Sequence, residues 1–186
     1  MDVLKIFEKT GGILKGHFLL TSGRHSDTYM QCAKLFAYPN ESERLCKELA
    51  KALKKYKADY VVAPAVGGII IGYEVARQVG IPNFFAERQD GVFALRRGFE
   101  LPKGSRVIVV EDVITTGGSV KEVMELVKSL ESTVVCVGCI VDRSNGGVDF
   151  GVPLHGLLAV DVKSYDADKC PLCKDGSKPY KPGSRT

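Results

Sequence analysis

The strongest indication of the fold of this chain is the segment Val109-Val-Glu-Asp-Val-Ile-Thr-Thr-Gly-Gly-Ser119. It begins as an apolar β-branched run, passes through two adjacent carboxylates and becomes a short loop of glycines and small hydroxyl residues. A helical pattern over residues 119–130 follows the loop directly. A strand that enters a helix through such a loop is typical of open α/β sheets, in which ligands bind beyond the carboxyl ends of the strands.

The rest of the chain repeats the order of strand, loop and helix. Further apolar runs of strand length occupy residues 59–63, 83–87, 133–141 and 157–162. A helical pattern over 69–79 lies between the first two of these runs and ends at Gly80-Ile-Pro82. Apolar runs that alternate with helices predict an α/β fold with a central, mostly parallel sheet that is buried by helices on both faces.

The two ends of the chain differ from this central part. The first thirty-odd residues predict a short helix and then a small β element, and the tail from Tyr165 is rich in proline and glycine. We expect a single domain over residues 1–186, with a core over about 40–163. We expect a small N-terminal hood, over about residues 1–35, and the C-terminal tail to accompany this core.

Two helix starts carry signals of their own. Asn40 precedes a helix whose apolar residues recur at helical spacing, namely Leu45, Leu49, Leu53 and Tyr56. We therefore expect Asn40 to be the N-cap of that helix. Ser119 and Glu122 have the spacing of a capping box, so we expect Ser119 to determine where the helix after the glycine loop begins.

The composition limits the classes of function. Hydrophobic residues make up 45% and charged residues 26% of the chain, and the net charge is +4, as in an ordinary globular protein. The chain lacks a basic helix with interleaved aromatics, so we expect no nucleic-acid partner. The N-terminus has no apolar segment of secretory length, and no apolar run reaches the roughly 18 residues of a membrane helix. We therefore expect a cytoplasmic protein that does not bind membranes.

Six cysteines form two pairs with CxxC spacing and two single residues. Cys136 and Cys139 lie in an apolar run that predicts a strand, where side chains three apart point to opposite faces, so we expect them to fill the core. Cys170 and Cys173 lie in a polar, proline-rich segment where a turn could bring both sulfurs together. A metal site with further ligands from elsewhere, a disulfide and a plain turn all remain open for this pair.

The acidic pair and the loop after it indicate a site for a sugar phosphate. The loop over 115–119 offers backbone N–H groups, hydroxyls and a helix N-terminus, which together can hold a phosphate. Glu111 and Asp112 could accept hydrogen bonds from vicinal ribose hydroxyls and stabilise positive charge that develops on the ring. The alternative is a purely structural turn with solvated acids. The motifs of Walker loops and of dinucleotide-binding loops are both absent.

This stretch resembles the phosphoribosyl diphosphate signature of the type I phosphoribosyltransferases. In that family two acidic residues bind the ribose hydroxyls and the loop binds the 5-phosphate. The resemblance implies catalytic roles for Glu111 and Asp112. It implies binding of phosphoribosyl diphosphate by these residues: Glu111, Asp112, Val113, Ile114, Thr115, Thr116, Gly117, Gly118 and Ser119.

Three further segments make the chain similar to the orotate phosphoribosyltransferases. The segment Ser22–Ser26, with Tyr29 and Met30 after it, resembles the hood that covers the base, which implies that Tyr29 and Met30 bind orotate. Ile140-Val-Asp-Arg-Ser144 resembles the segment whose arginine binds orotate. An arginine fork suits the orotate carboxylate, and the alternative for Arg143 is a surface ion pair. Thr115 could bind the other edge of the base.

The third segment, Phe84-Phe-Ala-Glu-Arg88, resembles the start of the mobile loop of that family. The connection over 88–105 is long for a compact domain, and long ordered loops are often lids over active sites. The resemblance implies that Arg88 binds the leaving diphosphate across a dimer interface and acts in catalysis. It therefore implies a homodimer in which each mobile loop serves the partner subunit.

The chain departs from the better-known enteric form of the family at several positions. Val66 and Gly67 replace a Tyr-Lys pair, and Gln89 and Thr21 stand where lysines are expected. Arg96 or Arg97 could take over the role of the missing mobile-loop lysines. A subgroup with a shorter loop, a Leu-Arg-Arg-Gly-Phe phrase and a CPxC tail is more similar to this chain.

The resemblance also implies the cofactor and the substrates. Magnesium would be held mainly by the oxygens of phosphoribosyl diphosphate, with no dedicated protein ligand, and orotate would be the acceptor. Two alternatives differ in function. A purine-type transferase would bind a neutral base and would not need Arg143, whereas a regulator would bind the donor without catalysis and would need a nucleic-acid-binding element.

Overall fold

The structure is a computed structural model, and it describes residues 1–20 and 22–182. The chain divides into two compact units, of which the larger spans Phe36–Val160 together with Met1. The smaller unit combines Asp2–Leu35 with the residues from Asp161 onward. The N-terminal segment after Met1 and the described part of the C-terminal segment therefore belong to one small unit, while the middle of the chain forms the larger one.

The larger unit is built around a six-stranded sheet. Its strands are β3 (Tyr60–Pro64), β4 (Asn83–Gln89), β5 (Val92–Leu95), β6 (Arg106–Ile114), β7 (Thr133–Asp142) and β8 (Leu154–Ala159). They lie in the order β5-β4-β3-β6-β7-β8, and all neighbours are parallel except β4 and β5. The prediction of an α/β fold with a mostly parallel sheet is confirmed.

Helices cover both faces of this sheet. They are α3 (Pro39–Leu53), α4 (Gly68–Val79) and α5 (Gly118–Ser129). Cys139 on β7 packs in a core cluster with Val123 of α5, whereas a Cβ at the preceding Gly138 would lie 3.0 Å from Leu53 of α3. Since successive residues of a strand point to opposite faces, α3 and α5 lie on opposite sides of β7.

The smaller unit contains a three-stranded antiparallel sheet in the order β1-β2-β9. The strands are β1 (Ile13–Leu19), β2 (His25–Met30) and β9 (Ser164–Tyr165). Helix α1 (Val3–Lys9) precedes β1, α2 (Cys32–Phe36) follows β2 and the short α6 (Pro171–Lys174) lies in the C-terminal segment. A short helix followed by a small β element was the expected start of the chain, and it is present.

Both predicted helix caps are wrong. Helix α3 begins at Pro39 with Tyr38 as its N-cap, two residues before the predicted cap Asn40, because proline fits the first helical position without losing a hydrogen bond. Helix α5 has Gly117 as its N-cap, without a side-chain capping bond, so Ser119 lies inside the first turn. Gly117 has a φ of +72°, which lets the chain turn sharply into the helix.

Two other boundaries differ from the predicted ones. The long connection after Arg88 is partly a β-hairpin, because β4 extends to Gln89 and pairs with β5 around a turn at Asp90 and Gly91. Strand β8 begins at Leu154, three residues before the predicted run at 157. Both segments lie at the edges of the sheet, where half-buried strands have a weaker apolar pattern than central ones.

The cysteines of β7 fill the core as predicted. Cys136 and Cys139 are both fully buried, and burial raises the pKa of the Cys136 thiol to about 12. Burial also raises the pKa of the Cys139 thiol, and the carboxylates of Asp142, Glu111 and Asp112 add to the effect. Thiols with raised pKa values are poor nucleophiles at neutral pH, so neither has the character of a reactive cysteine.

Candidate active site

The two predicted acidic residues lie on β6 itself, not after it. Strand β6 continues to Ile114 and pairs with β7 along this stretch, with Glu111 opposite Cys139 and Val113 opposite Val141. Local hydrogen bonds hold the carboxylates, because the Asp112 N–H donates to Glu111 Oε1 at 3.1 Å and the Val113 N–H donates to Asp112 Oδ1 at 2.8 Å. The acids therefore have defined positions in the carboxyl-terminal half of a central strand.

The loop between β3 and α4 lies directly beside these carboxylates. A Cβ at Gly67 would be 3.2 Å from both carboxylate oxygens of Asp112, and a Cβ at Gly68 would be 3.4 Å from Glu111 Oε1. Such distances are tight for a side-chain carbon, so the two glycines allow the backbone of this loop to approach the acids. The loop thus contributes to the same site, with Val66 at its exposed tip.

The carboxyl of Asp112 has a shifted pKa. Burial of the Asp112 carboxyl raises its pKa, and the hydrogen bonds from its neighbours offset only part of that effect. A carboxylate that is held in a partly desolvated position interacts strongly with any hydroxyl or positive charge placed against it. The site is therefore prepared for a ligand that supplies hydrogen-bond donors or developing positive charge.

The glycine loop presents a helix N-terminus beside the acids. Thr115, Thr116 and Gly118 are exposed, and the first backbone bond of α5 runs from the Lys121 N–H to the Gly117 carbonyl at 2.9 Å. The N–H groups before Lys121 have no partner inside the helix. Exposed hydroxyls and N–H groups at the positive end of a helix dipole are suited to bind a phosphate.

Gly117 is essential to this geometry. Gly117 has a positive φ, and a Cβ here would lie 2.8 Å from Val148 Cγ1 and 2.9 Å from Phe150 Cζ. We therefore expect Gly117→Ala to lower the free energy of unfolding by about 2–5 kcal/mol. Gly104 is a matched control with a φ of +80° and open space around it, so Gly104→Ala should cost only about 1–2 kcal/mol. Urea unfolding measures both, and equal costs would contradict the packing argument.

Arg143 lies at the same end of the sheet as the glycine loop. Asp142 is the last residue of β7 and pairs with Ile114 at the end of β6. The Arg143 N–H then donates to the Ile114 carbonyl at 2.8 Å, and the Ser144 N–H donates to Asp142 Oδ1 at 2.8 Å. The structure thus brings Arg143 next to Thr115, although 27 residues separate the two segments along the chain.

Arg88 is held on the surface of α5. Its guanidinium forms two hydrogen bonds with the Glu122 carboxylate, at 2.7 and 2.9 Å, and lies 4.2 Å from the centre of the Phe93 ring. The Arg97 guanidinium likewise donates two hydrogen bonds to the Glu87 carboxylate, at 2.7 and 2.8 Å. Sequence reasoning missed Glu122 as a partner of Arg88, because nothing in the sequence marks a pair 34 residues apart.

The predicted base-binding residues of the hood lie on β2 of the smaller unit. Met30 is buried, and the Tyr29 ring lies 5.8 Å from the Phe18 ring between centroids. The segment Ser22–Ser26 leads into β2. Thr21, which stands at an expected lysine position, lies outside the described residues.

No helix in residues 1–20 and 22–182 is long and apolar enough to cross a membrane. Within the described residues, one group of side chains in the smaller unit could hold a metal ion, and it includes neither Glu111 nor Asp112. It comprises His17, His25, Cys170 and Cys173. Sequence reasoning identified only its two cysteines, through their CxxC spacing.

Comparison with known proteins agrees with this geometry. Residues 35–149 match the phosphoribosyl transferase domain family. The chain is 61% identical over 183 residues to the orotate phosphoribosyltransferase of Caldanaerobacter subterraneus, covering 98% of this chain and 96% of that protein. It is 55% identical to the orotate phosphoribosyltransferase of Thermotoga maritima, covering 98% of each chain.

A solved structure extends the comparison to three dimensions. The crystal structure of orotate phosphoribosyltransferase from Aeropyrum pernix superposes with a TM-score of 0.74 at 27% identity. The match covers 86% of this chain and 94% of that one. The prediction made from the eleven-residue signature and the three supporting segments is confirmed, and the chain belongs to the orotate phosphoribosyltransferases of the type I phosphoribosyltransferase family.

Proposed function

We infer that this chain transfers the 5-phosphoribosyl group of phosphoribosyl diphosphate to orotate, giving orotidine 5′-monophosphate and diphosphate in pyrimidine biosynthesis. In this reaction a ring nitrogen of orotate bonds to the anomeric carbon as the bond from that carbon to the diphosphate oxygen breaks, and the proton of that nitrogen passes to water. The observation that carries the proposal is the placement of an acidic pair, a phosphate-type loop and an arginine at the carboxyl ends of β6 and β7.

The acidic pair and the loop suit the sugar phosphate of the donor. We propose that Glu111 and Asp112 accept hydrogen bonds from the ribose hydroxyls, where the partly desolvated Asp112 stabilises positive charge on the ring in the transition state. The 5-phosphate binds at the N-terminus of α5, to backbone and hydroxyl groups of Thr115 through Ser119. Val113 and Ile114 form the bottom of this sugar phosphate site through the backbone of β6.

Arg143 and Thr115 suit the base. The guanidinium of Arg143 can form two parallel hydrogen bonds with the orotate carboxylate, while Thr115 binds another edge of the ring. Tyr29 and Met30 remain predicted orotate-binding residues. We propose that the smaller unit acts as the hood of this active site, and that residues 1–186 form one functional domain.

The residues at this site also fit magnesium. Carboxylates and phosphate oxygens are the hard ligands that Mg²⁺ prefers, and the two acids lie where the donor would bind. When bound, the ion would neutralise charge on the diphosphate leaving group. We propose that the donor oxygens supply most of its ligands, so that Glu111 and Asp112 remain available for the ribose.

We propose that Arg88 binds the leaving diphosphate of a partner subunit in a homodimer. Breaking the ion pair between Arg88 and Glu122 would cost only about 0–1 kcal/mol, because the side chains of Arg88 and Glu122 are 36% and 45% exposed. An apolar strip of Val66, Ile70 and Tyr73 on and before α4 is exposed and supports a subunit contact on that face. Closure of the hairpin loop would exclude water, which otherwise hydrolyses the donor.

Subunit mixing tests this shared site. We expect Arg88→Ala and Arg143→Ala each to lower the rate of orotidine monophosphate formation by about 10²-fold as homodimers. A heterodimer of the two variants, purified through two different tags, has one site with both defects and one with neither. It should therefore recover about half of the wild-type activity per dimer, dependent on donor and magnesium.

A tagged pair in which both subunits carry Arg88→Ala is the matched control and should remain inactive. If Arg88 acted within its own subunit, every site of the mixed heterodimer would carry one defect and activity would stay low. That result, or a failure to recover any heterodimer, would refute the shared site while leaving the reaction itself intact.

We propose the cytoplasm as the place of this reaction. All six cysteines are free thiols in the structure, as expected in a reducing compartment.

A further inference from the structure

Four side chains from both ends of the chain meet in the smaller unit. His17 lies on β1, His25 is the first residue of β2, Cys170 precedes α6 and Cys173 lies within it. One ligand atom from each residue lies within 4.8 Å of all the others. Three of the four residues are buried and Cys173 is partly exposed, so the cluster belongs to the interior of this unit.

Three of the distances between ligand atoms lie in the range expected for the edges of a tetrahedron around a metal ion, a fourth is shorter, and none exceeds 4.8 Å. His17 Nε2 lies 2.9 Å from His25 Nδ1, 3.6 Å from Cys170 Sγ and 3.8 Å from Cys173 Sγ, and Cys173 Sγ lies 3.3 Å from His25 Nδ1. Zinc bonds of about 2.0–2.1 Å to nitrogen and 2.3 Å to sulfur give tetrahedral edges of about 3.3–3.8 Å. An ion at the centre would therefore require only small shifts of the side chains.

The surroundings of His17 support the same conclusion. Its second ring nitrogen, Nδ1, lies 3.1 Å from the Ser177 carbonyl oxygen and 3.1 Å from Ser177 Oγ. A proton on Nδ1 that is donated to that carbonyl leaves the lone pair of Nε2 directed into the cluster. Histidines that bind metals usually have such a hydrogen bond, which sets the tautomer and the orientation of the ring.

We propose that His17, His25, Cys170 and Cys173 bind one zinc ion as a structural site. Two imidazoles and two thiolates in tetrahedral arrangement select zinc over magnesium, which prefers oxygen ligands. Four protein ligands leave no open position for substrate, so the ion stabilises the fold and takes no part in catalysis. None of these four ligands has a part in the proposed function, so the proposal is independent of it.

The architecture of the smaller unit explains why such a site is useful. The C-terminal segment is linked to β1 and β2 by the two-residue strand β9, by a bridge between Phe18 and Tyr180, and by side-chain hydrogen bonds of His17 and Ser26. The metal would cross-link His17 to Cys170, which are 153 residues apart, and so fasten the two ends of the chain. Units with few buried residues are often stabilised by a metal, since binding free energy then adds to folding free energy.

Metal analysis of the wild-type protein is the direct test. Protein with no histidine tag, purified under reducing conditions and passed through gel filtration, should contain about one zinc per chain by plasma mass spectrometry. Removal by a chelator should lower the melting temperature, and Co²⁺ should restore it. Bound Co²⁺ should show the intense visible bands of tetrahedral coordination and a near-ultraviolet band from thiolate charge transfer.

Variants locate the ion. The double variant Cys170→Ser with Cys173→Ser should retain less than about one-tenth of the zinc. His155→Gln is the matched control, because His155 is the one histidine outside the cluster and contacts Tyr56 in the larger unit, and it should keep the full content. If the double variant does not fold, the zinc content and the cobalt spectrum of the wild type still show whether the protein binds zinc through thiolates.

Three results would overturn the proposal. The first is wild-type protein that contains no zinc and shows no tetrahedral cobalt spectrum after reconstitution. The second is a mass deficit of two hydrogens with two fewer titratable thiols, which would identify a Cys170–Cys173 disulfide. The third is zinc that persists in the double variant, which would place the ion elsewhere.

Discussion

Replacement of Asp112 by Asn should lower kcat/KM by about 10²–10³-fold and raise the melting temperature of the substrate-free protein. The activity falls because an amide cannot stabilise positive charge on the ribose ring as a carboxylate does. The stability rises because burial raises the pKa of the Asp112 carboxyl in the folded protein. At a pH above its folded pKa, the Asp112 carboxylate is therefore held in an unfavourable position until a ligand compensates it.

The pH dependence of this effect follows from linkage. Because the folded pKa of Asp112 is above the unfolded value, the folded state binds more protons between the two, and wild-type stability falls as pH rises through that range. The difference in melting temperature between Asp112→Asn and wild type should thus be small below the ordinary Asp pKa of about 3.9. It should increase with pH and then stay constant above the folded pKa.

Asp59→Asn is the matched control for Asp112→Asn. Asp59 precedes β3, at the opposite end of the sheet, and accepts a hydrogen bond from the Arg106 N–H at 2.8 Å. The control removes the same charge but should leave kcat/KM within about twofold of wild type. Full activity in Asp112→Asn, or a lower melting temperature at every pH, would refute the role given to this carboxylate.

Replacement of Arg143 by Ala should raise the KM for orotate by about 10²-fold, because hydrogen bonds between charged groups contribute about 1.5–3 kcal/mol. The KM for phosphoribosyl diphosphate should change little, since the donor binds to the acidic pair and the glycine loop. Arg143→Lys should restore only part of the affinity, because a lysine is a point charge without the planar fork that matches a carboxylate. Steady-state kinetics with each substrate varied in turn measure all three effects.

Arg106→Ala controls for the loss of an arginine from the same sheet. The Arg106 guanidinium donates to the Tyr56 and Lys57 carbonyls at the amino end of β6, on the strand that carries the acidic pair. Its replacement should cost stability and leave the orotate KM unchanged. An Arg143→Ala variant with a normal orotate KM and an altered donor KM would assign Arg143 to the diphosphate instead.

The parts of this fold that were predictable from sequence are those that local chemistry determines. The central strands β3, β6 and β7 are continuous apolar runs, since both faces of a parallel sheet are buried. The stop of α4 at Gly80 was also predictable, because Gly80 takes a left-handed conformation there. The signature around Glu111 and Asp112 led to the correct family because the phosphate loop and the acids are contiguous.

Features that depend on distant residues were not predictable in the same way. The position of the α5 N-cap at Gly117 instead of Ser119 follows from the packing of Val148 and Phe150 against the glycine. The hairpin after Arg88 is fixed by pairing between β4 and β5 and by the contact of Arg88 with Glu122. Tertiary contacts of this kind override local capping and loop signals.

The metal-type cluster shows the same limit. The CxxC spacing of Cys170 and Cys173 left a metal, a disulfide and a turn open, and the structure makes their segment the short helix α6. Only the fold shows that His17 and His25 complete the group, because they lie some 150 residues away in sequence. Two of the three histidines of the chain occur in this small unit, which is a weak signal in hindsight.

Comparison of orotate with two purine bases as acceptors is the decisive test of the proposed reaction. Purified wild-type protein is assayed with magnesium, phosphoribosyl diphosphate and orotate, adenine or hypoxanthine in turn, and kcat/KM is compared. We expect orotate to exceed either purine by at least about 10³-fold, because a site built to pair a carboxylate rejects bases that lack one. Faster turnover of a purine would contradict the assignment of the base, and turnover of none would indicate a protein that binds the donor without catalysis.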